Sequence, residues 1–177
     1  VECGFNLDKM WAVLVLCASA SLLAAVQAWP SQVPPSACQS FLPVHPRKDT
    51  GKPFQPQPNN SFPYKLQVLP QKRTKTFKVS ITGDAANQIQ GFQIQAWDVN
   101  SNQPVGEFKG ANSNNVQFLQ CGAGKDTASH TSKDNKQSVS AVWSPNNFQG
   151  KVRFHVTVAK SYDVFWSNLL SDEVQVV

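Results

Sequence analysis

The chain has 177 residues and a formal net charge of +5, with 41% hydrophobic and only 15% charged residues. That length allows one domain of ordinary size plus extensions, and abundant Gln, Asn and Ser beside few charges suit a β-rich extracellular domain better than a helical cytosolic one. The basic excess favours anionic partners in general, yet no long Lys/Arg run and no RNA- or DNA-binding motif is present, which argues against a nucleic-acid partner.

Met10 opens an apolar run, Trp11 to Val26, that ends in the small-residue pattern Val26-Gln27-Ala28, with Lys9 just ahead of it. This predicts a secretory signal peptide over 10–28 with cleavage after Ala28. The run is shorter than the roughly 20 apolar residues of a spanning helix, and Ser19 and Ser21 dilute it. Residues 1–9 precede the only methionine and read as upstream translation rather than structure. No later segment is apolar for long enough to span a bilayer, so the expected product is secreted and extracellular. Without residues 1–28 it carries 15 basic and 9 acidic residues, a formal charge of +6. It keeps Cys38 and Cys121, an even count on an oxidising route. A Cys38–Cys121 disulfide is the natural inference, with two free thiols or a metal pair as the alternatives.

Residues 29–62 are dense in proline. Proline fixes φ and removes a donor, so this stretch is expected to be an extended arm, neither helix nor central strand, tied to the domain through Cys38. Asn59-Asn60-Ser61 is an N-x-S sequon, a candidate glycosylation site at Asn59. The domain core is expected over 63–177.

From Tyr64 onward the pattern is that of strands. Tyr64, Leu66 and Val68 alternate with Lys65 and Gln67, and Phe77, Val79 and Ile81 alternate with Lys78, Ser80 and Thr82. After Gly91, Phe92, Ile94 and Ala96 alternate with Gln93, Gln95 and Trp97, which places the second set outward. Val105 to Lys109 reads as a short edge strand, Val116 to Cys121 as another, and Gly122 to Asn135 as a polar loop. The clearest signal is Ser138–Lys160. Val139, Ala141 and Trp143 share one face, and Val152, Phe154, Val156 and Val158 share another, with turn residues Pro145 to Gly150 between. This predicts two half-buried strands and a loop, the unit of an antiparallel sheet. Tyr162 to Asn168 and Leu170 to Val177 close the domain. Short strands at regular spacing indicate a sandwich.

With these landmarks in order, the chain resembles the reeler domain, and within it the small secreted insect defence proteins made of a single such domain. The residues that carry the resemblance are Pro63-Tyr64, Phe77 to Gly83, Gly91 to Ala96, Gly106-Glu107-Phe108, Leu119-Gln120-Cys121, Thr127 to Thr131, Val142 to Pro145, Gly150 to Phe154 and Phe165-Trp166. The match covers roughly Cys38 to Glu173. The resemblance implies an all-β, immunoglobulin-like antiparallel sandwich, secretion into insect haemolymph, and the Cys38–Cys121 bridge. It also implies a part in humoral immunity: antibacterial activity, binding of microbial surfaces, or aggregation of haemocytes. Reeler domains are also found fused to haem-containing reductase modules, whose chemistry is not carried onto these residues.

Lys72, Arg73, Lys75 and Lys78 form the densest basic cluster, suited to phosphates of lipopolysaccharide or teichoic acid, or to sulfated glycans. The competing reading is an edge strand guarded by lysine against sheet-to-sheet pairing. Trp97, Arg153 and His155 project outward as secondary binding candidates, and whether Arg153 and His155 join the basic cluster depends on sheet order. Ser129, His130 and Asp126 or Asp134 could be arranged as a hydrolytic triad, but no strained nucleophile motif surrounds them, and a loop histidine commonly satisfies backbone groups. His45, His130 and His155 lack metal-ligand spacing. No catalytic residue, metal or cofactor is expected. The expected function is a secreted, non-catalytic defence protein that binds bacterial envelope components or haemocyte surfaces. The alternative is a matrix or adhesion module that binds sulfated glycans or host receptors.

Overall fold

The computed structural model describes residues 33–34, 36–112 and 115–177; the leader expected over 10–28 lies outside them. Along the described chain run β1 (Lys65–Gln71), β2 (Thr76–Thr82), β3 (Gly91–Asp98), β4 (Glu107–Lys109), β5 (Gln117–Leu119), β6 (Thr127–Ser129), β7 (Ser138–Ser144), β8 (Gly150–Ala159), β9 (Phe165–Leu170) and β10 (Val174–Val176). One antiparallel sheet has the order β1-β2-β7-β4. The other has the order β10-β8-β3-β6-β5, with β9 also paired to β8.

The period-two pattern decides what lies between the sheets. Val79, Ile81, Val139, Ala141 and Trp143 from the first sheet are buried, as are Phe92, Ile94, Phe154, Val156 and Val158 from the second. The Trp143 and Phe154 rings meet edge to face, 5.4 Å apart, an arrangement that aromatic quadrupoles favour. Gly106 lies at φ 68 under the Trp143 ring, where a Cβ would overlap that ring. Only glycine suits both the backbone angle and the space.

Three expectations need correction. The strands of Ser138–Lys160 do not pair with each other: β7 pairs with β2 and β4, while β8 pairs with β3, β9 and β10. Both strands present one apolar face, and that face can be satisfied across a core as well as along a hairpin. The link, with Asn146 at φ 54 and Gly150 at φ 141, carries the chain from one layer to the other. Second, Gly122 to Asn135 is not wholly loop. Thr127-Ala128-Ser129 forms the buried strand β6 between β3 and β5. Third, the proline-rich arm is not entirely extended. It contains one helical turn, α1 (Ala37–Ser40), and a 3-10 turn, Asn59–Ser61, each in a gap between prolines. Pro70 falls inside β1, and β1 is an edge strand, where a missing N–H costs no ladder bond.

The arm packs on the outer face of the second sheet. Cys38 is bonded to Cys121, so an arm that is local in sequence is closed onto the loop that follows β5. Ala37 and Phe41 are each 2% exposed and act as core residues.

Candidate functional site

The two sheets offer two different outer surfaces, and the sequence-predicted residues divide between them. On the first sheet, Lys72, Arg73 and Lys75 occupy the turn from β1 to β2, and Lys78 follows on the outer face of β2. All four are exposed. Lys75 takes φ 52, which tightens the turn. β2 is an interior strand, flanked by β1 and β7, so Lys78 guards no sheet edge. Pairing sets Leu69, Lys78, Val142 and Lys109 in one row across the four strands. Adjacent strands lie about 4.8 Å apart, so Lys109 stands roughly 10 Å from Lys78. Lys65 lies on the same face of β1 as Leu69, two residues further along each time. The sequence reading missed Lys65 and Lys109 because only sheet order brings them beside Lys78. Glu107, paired to Lys109 at 2.9 Å, is the acid on this face.

Arg153 and His155 do not join that surface, because β8 belongs to the opposite sheet. Arg153 is held by Glu173 at 2.6 Å. Trp97 and His155 lie one beside the other, 4.9 Å between centroids, and Phe41 from the arm packs on both at 6.0 and 5.3 Å. The outward set of β3 is therefore covered rather than solvated. Gln93 is 2% and Gln95 1% exposed. Their amides are satisfied: Gln93 donates to Cys38 O at 3.3 Å, and Gln95 donates to Thr127 Oγ1 at 2.6 Å. Trp97 Nε1 donates to Gln95 Oε1 at 3.0 Å. Thr127 Oγ1 donates onward to Asp126, whose carboxylate accepts the N–H groups of Cys121, Gly122 and Ala123 at 2.8, 2.6 and 3.1 Å. This chain of bonds runs from Trp97 under the arm to the backbone that holds the disulfide. Thr157 Oγ1 closes the cover by donating to Phe41 O at 2.7 Å. Asn59 is exposed in its 3-10 turn, while Ser61 Oγ accepts from Trp166 Nε1 at 3.0 Å.

The hydrolytic arrangement does not assemble. Ser129 Oγ lies 3.4 Å from His130 Nδ1, but Asp126 is turned to loop amides and Asp134 accepts from Ser132 Oγ at 2.8 Å. His130 Nδ1 sits 3.2 Å from Phe92 N and 3.3 Å from Phe92 O. Its ring lies over Gly91, where an added Cβ would stand 3.3 Å away. Burial lowers the pKa of His130 below the usual imidazole value, with Lys136 adding to the effect. Among the described residues no group of three or more His, Cys, Asp or Glu side chains could hold a metal ion, and no helix is long and apolar enough to cross a membrane.

Sequence reasoning also missed an open cavity of about 320 Å³ between the arm and the second sheet. Val33, Pro34, Ala37 and Val44 form its arm side, and Gly91, Gln93, Thr157 and Ala159 its sheet side. Lys133, His45 and His130 stand around it. No local pattern could have revealed it, since its two walls are joined only by the folding back of the arm.

Comparison with known proteins gives a consistent answer. The Reeler domain model matches residues 36–177. "Putative defense protein Hdd11" of Hyphantria cunea is 31% identical, over 95% of this chain and 99% of its own length. "Defense protein l(2)34Fc" of Drosophila melanogaster is 28% identical, over 94% and 99%. "Putative ferric-chelate reductase 1 homolog" of Drosophila melanogaster is 31% identical over 85% of this chain, but the chain spans only 24% of that protein. Among solved structures, the human F-spondin reeler domain aligns with a TM-score of 0.50 at 12% identity, over 64% of this chain and 88% of its own, a likeness of fold alone.

Proposed function

This chain belongs to the Reeler domain family, and from that premise we propose that it is a secreted, non-catalytic defence protein that binds the anionic envelope of bacteria through the outer face of its first sheet. Full-length relatives named as defense proteins support the defence role. The single observation that carries the binding surface is Lys78. It stands on an interior strand, where lysine has no edge to protect, in line with Lys109 and close to the exposed Lys72-Arg73-Thr74-Lys75 turn. Lys109 already has Glu107, and phosphate groups of lipopolysaccharide or lipoteichoic acid supply acceptors for Lys78 and the turn cations, which enter none of the described ion pairs. Each Lys or Arg near an anionic membrane surface contributes about 1 kcal/mol, and the attraction weakens with salt. The buried Asp126, committed to loop amides, supports a non-catalytic reading of the Ser129–His130 region.

The test compares wild type with a variant carrying Lys72→Ser, Arg73→Ser, Lys75→Asn and Lys78→Ser. Asparagine at 75 tolerates the positive φ. Wild type is expected to bind lipopolysaccharide and lipoteichoic acid at low salt, and the variant at least tenfold more weakly. Wild type that binds neither glycolipid overturns the proposal. If the same protein binds heparin, a sulfated-glycan adhesion role takes its place.

A further inference from the structure

We propose that the cavity between the arm and the second sheet is a binding site for a single-chain amphiphile, an apolar chain with an anionic head. Its volume of about 320 Å³ falls at the lower end of the range of small-molecule sites. Its walls suit a hydrocarbon over much of their area: Val33, Pro34, Ala37 and Val44 face Gly91 and Ala159, with Gln93 and Thr157 beside them. No acidic side chain among the described residues lines it, and the cation that does, Lys133, is exposed and takes part in none of the described ion pairs. A carboxylate or phosphate head would meet Lys133 while its chain replaces water against the apolar walls.

The cavity is also held open by fixed parts. Its sheet side comes from the adjacent strands β3 and β8, paired Gly91 to Ala159 and Phe92 to Val158. The loop that carries Lys133 is pinned by Lys136, which is 5% exposed. The Lys136 ammonium donates to Gln90 O, Ser132 O and Asp134 O at 3.1, 2.7 and 2.5 Å. The arm side is fixed by the disulfide, by Gln93 donating to Cys38 O and by Thr157 donating to Phe41 O. Farther along the arm, His45 stacks on Tyr162 with 4.3 Å between centroids and 12° between planes, and His45 Nδ1 lies 2.6 Å from Tyr162 O. A preformed pocket of this kind avoids the ordering cost of a ligand site built from loose loops. The site lies on the sheet opposite to the basic turn, so it does not rest on the proposed envelope surface.

The test is calorimetric titration of the secreted chain with octanoate, decanoate and dodecanoate, and with dodecanol as the uncharged control. Saturable one-to-one binding is expected, tightening about fourfold per added methylene until the cavity is full. Val44→Trp, at a position 57% exposed and therefore tolerant of the change, is expected to block it. Lys133→Glu is expected to weaken dodecanoate at least fivefold and to leave dodecanol unchanged. The fourfold-substituted basic-turn variant is expected to bind dodecanoate as wild type does, which separates this site from the envelope surface. A single-chain lysophosphatidylglycerol that displaces dodecanoate extends the site to phosphate-headed lipids; failure to displace restricts it to free fatty acids. Absence of saturable binding, or binding that neither Val44→Trp nor Lys133→Glu alters, overturns the proposal.

Discussion

The outer faces of the two sheets start from the same alternation of apolar and polar residues and end in opposite states. On the first sheet, Lys65, Lys78, Ser138 and Ser140 meet solvent. On the second, Gln93, Gln95, Thr157 and Ser129 are buried beneath or beside the arm, with their polar atoms bonded. Polar alternation thus marks a side chain as outside the apolar core without saying whether water reaches it. The chemistry of the polar residue tells more. Lysine keeps its charge in water and is rarely buried, whereas amides and hydroxyls can be fully satisfied by neighbouring groups. The lysine-bearing face is therefore the open one, and the amide-bearing face is covered by the chain's own arm, save where the cavity remains between them.

The strongest way to break this difference is to release the arm. Cys38→Ser with Cys121→Ser removes a bridge that spans 83 residues of sequence. Loss of a native disulfide costs about 2–5 kcal/mol, a fall of roughly 5–15 °C in Tm at this chain length. Thermal unfolding measures the loss, and hydrogen exchange locates it. Faster exchange is expected in β3, β6 and β8 around Gln93, Ser129 and Thr157, with β2 and β7 little changed. Uniform acceleration in both sheets would mean that the arm supports the whole sandwich and not one face.

Much of the core could be read from the sequence, because apolar period two is imposed by the strand backbone itself. The inward sets of β2, β3, β7 and β8 are those the alternation picks out. The partners of those strands were not legible. Val139 and Val156 carry the same local signal whether β7 and β8 form a hairpin or face each other across a core. For the same reason the Lys78–Lys109 row emerged only with strand order. The covering of Trp97 and the cavity depend on where residues 36–45 lie, and proline density says only that they form no long helix or central strand. Cys38 and Cys121 were the one sequence feature that tied the arm to a place.

Acid is a milder route to the same release. The chain's three histidines all belong to the covered side: His155 lies under Phe41, His45 on Tyr162, and His130 against Gly91. Burial lowers each pKa below 6.5. Arg153 adds to this for His155, and Lys136 for His130, while the hydrogen bonds to Asn168, to the Tyr162 carbonyl and to Phe92 act in the other direction. The unfolded chain then binds protons before the folded one. The stability these neutral rings contribute is complete above about pH 6.5 and is lost as pH falls below it toward the folded values. The expected result is a drop in Tm between pH 7 and pH 5, smaller than the loss on removing the disulfide and flattened by replacing all three histidines with glutamine. An unchanged Tm across that range would remove the histidines from the account of how the arm is held.

The smallest effect is expected on the open face, and its smallness is the point. Lys78 lies between Leu69 and Val142 in the row across the first sheet, and no described ion pair or hydrogen bond holds its ammonium. Lys78→Thr puts a β-branched side chain at a strand position that accepts one readily. Exposed substitutions away from specific contacts stay within about 0.5 kcal/mol, so Tm is expected to move by less than about 2 °C. A larger loss would show that something in the native protein covers this face too. The lysine would then be a structural contact, and the contrast between an open and a sealed surface would fail at the residue on which the envelope-binding proposal depends most.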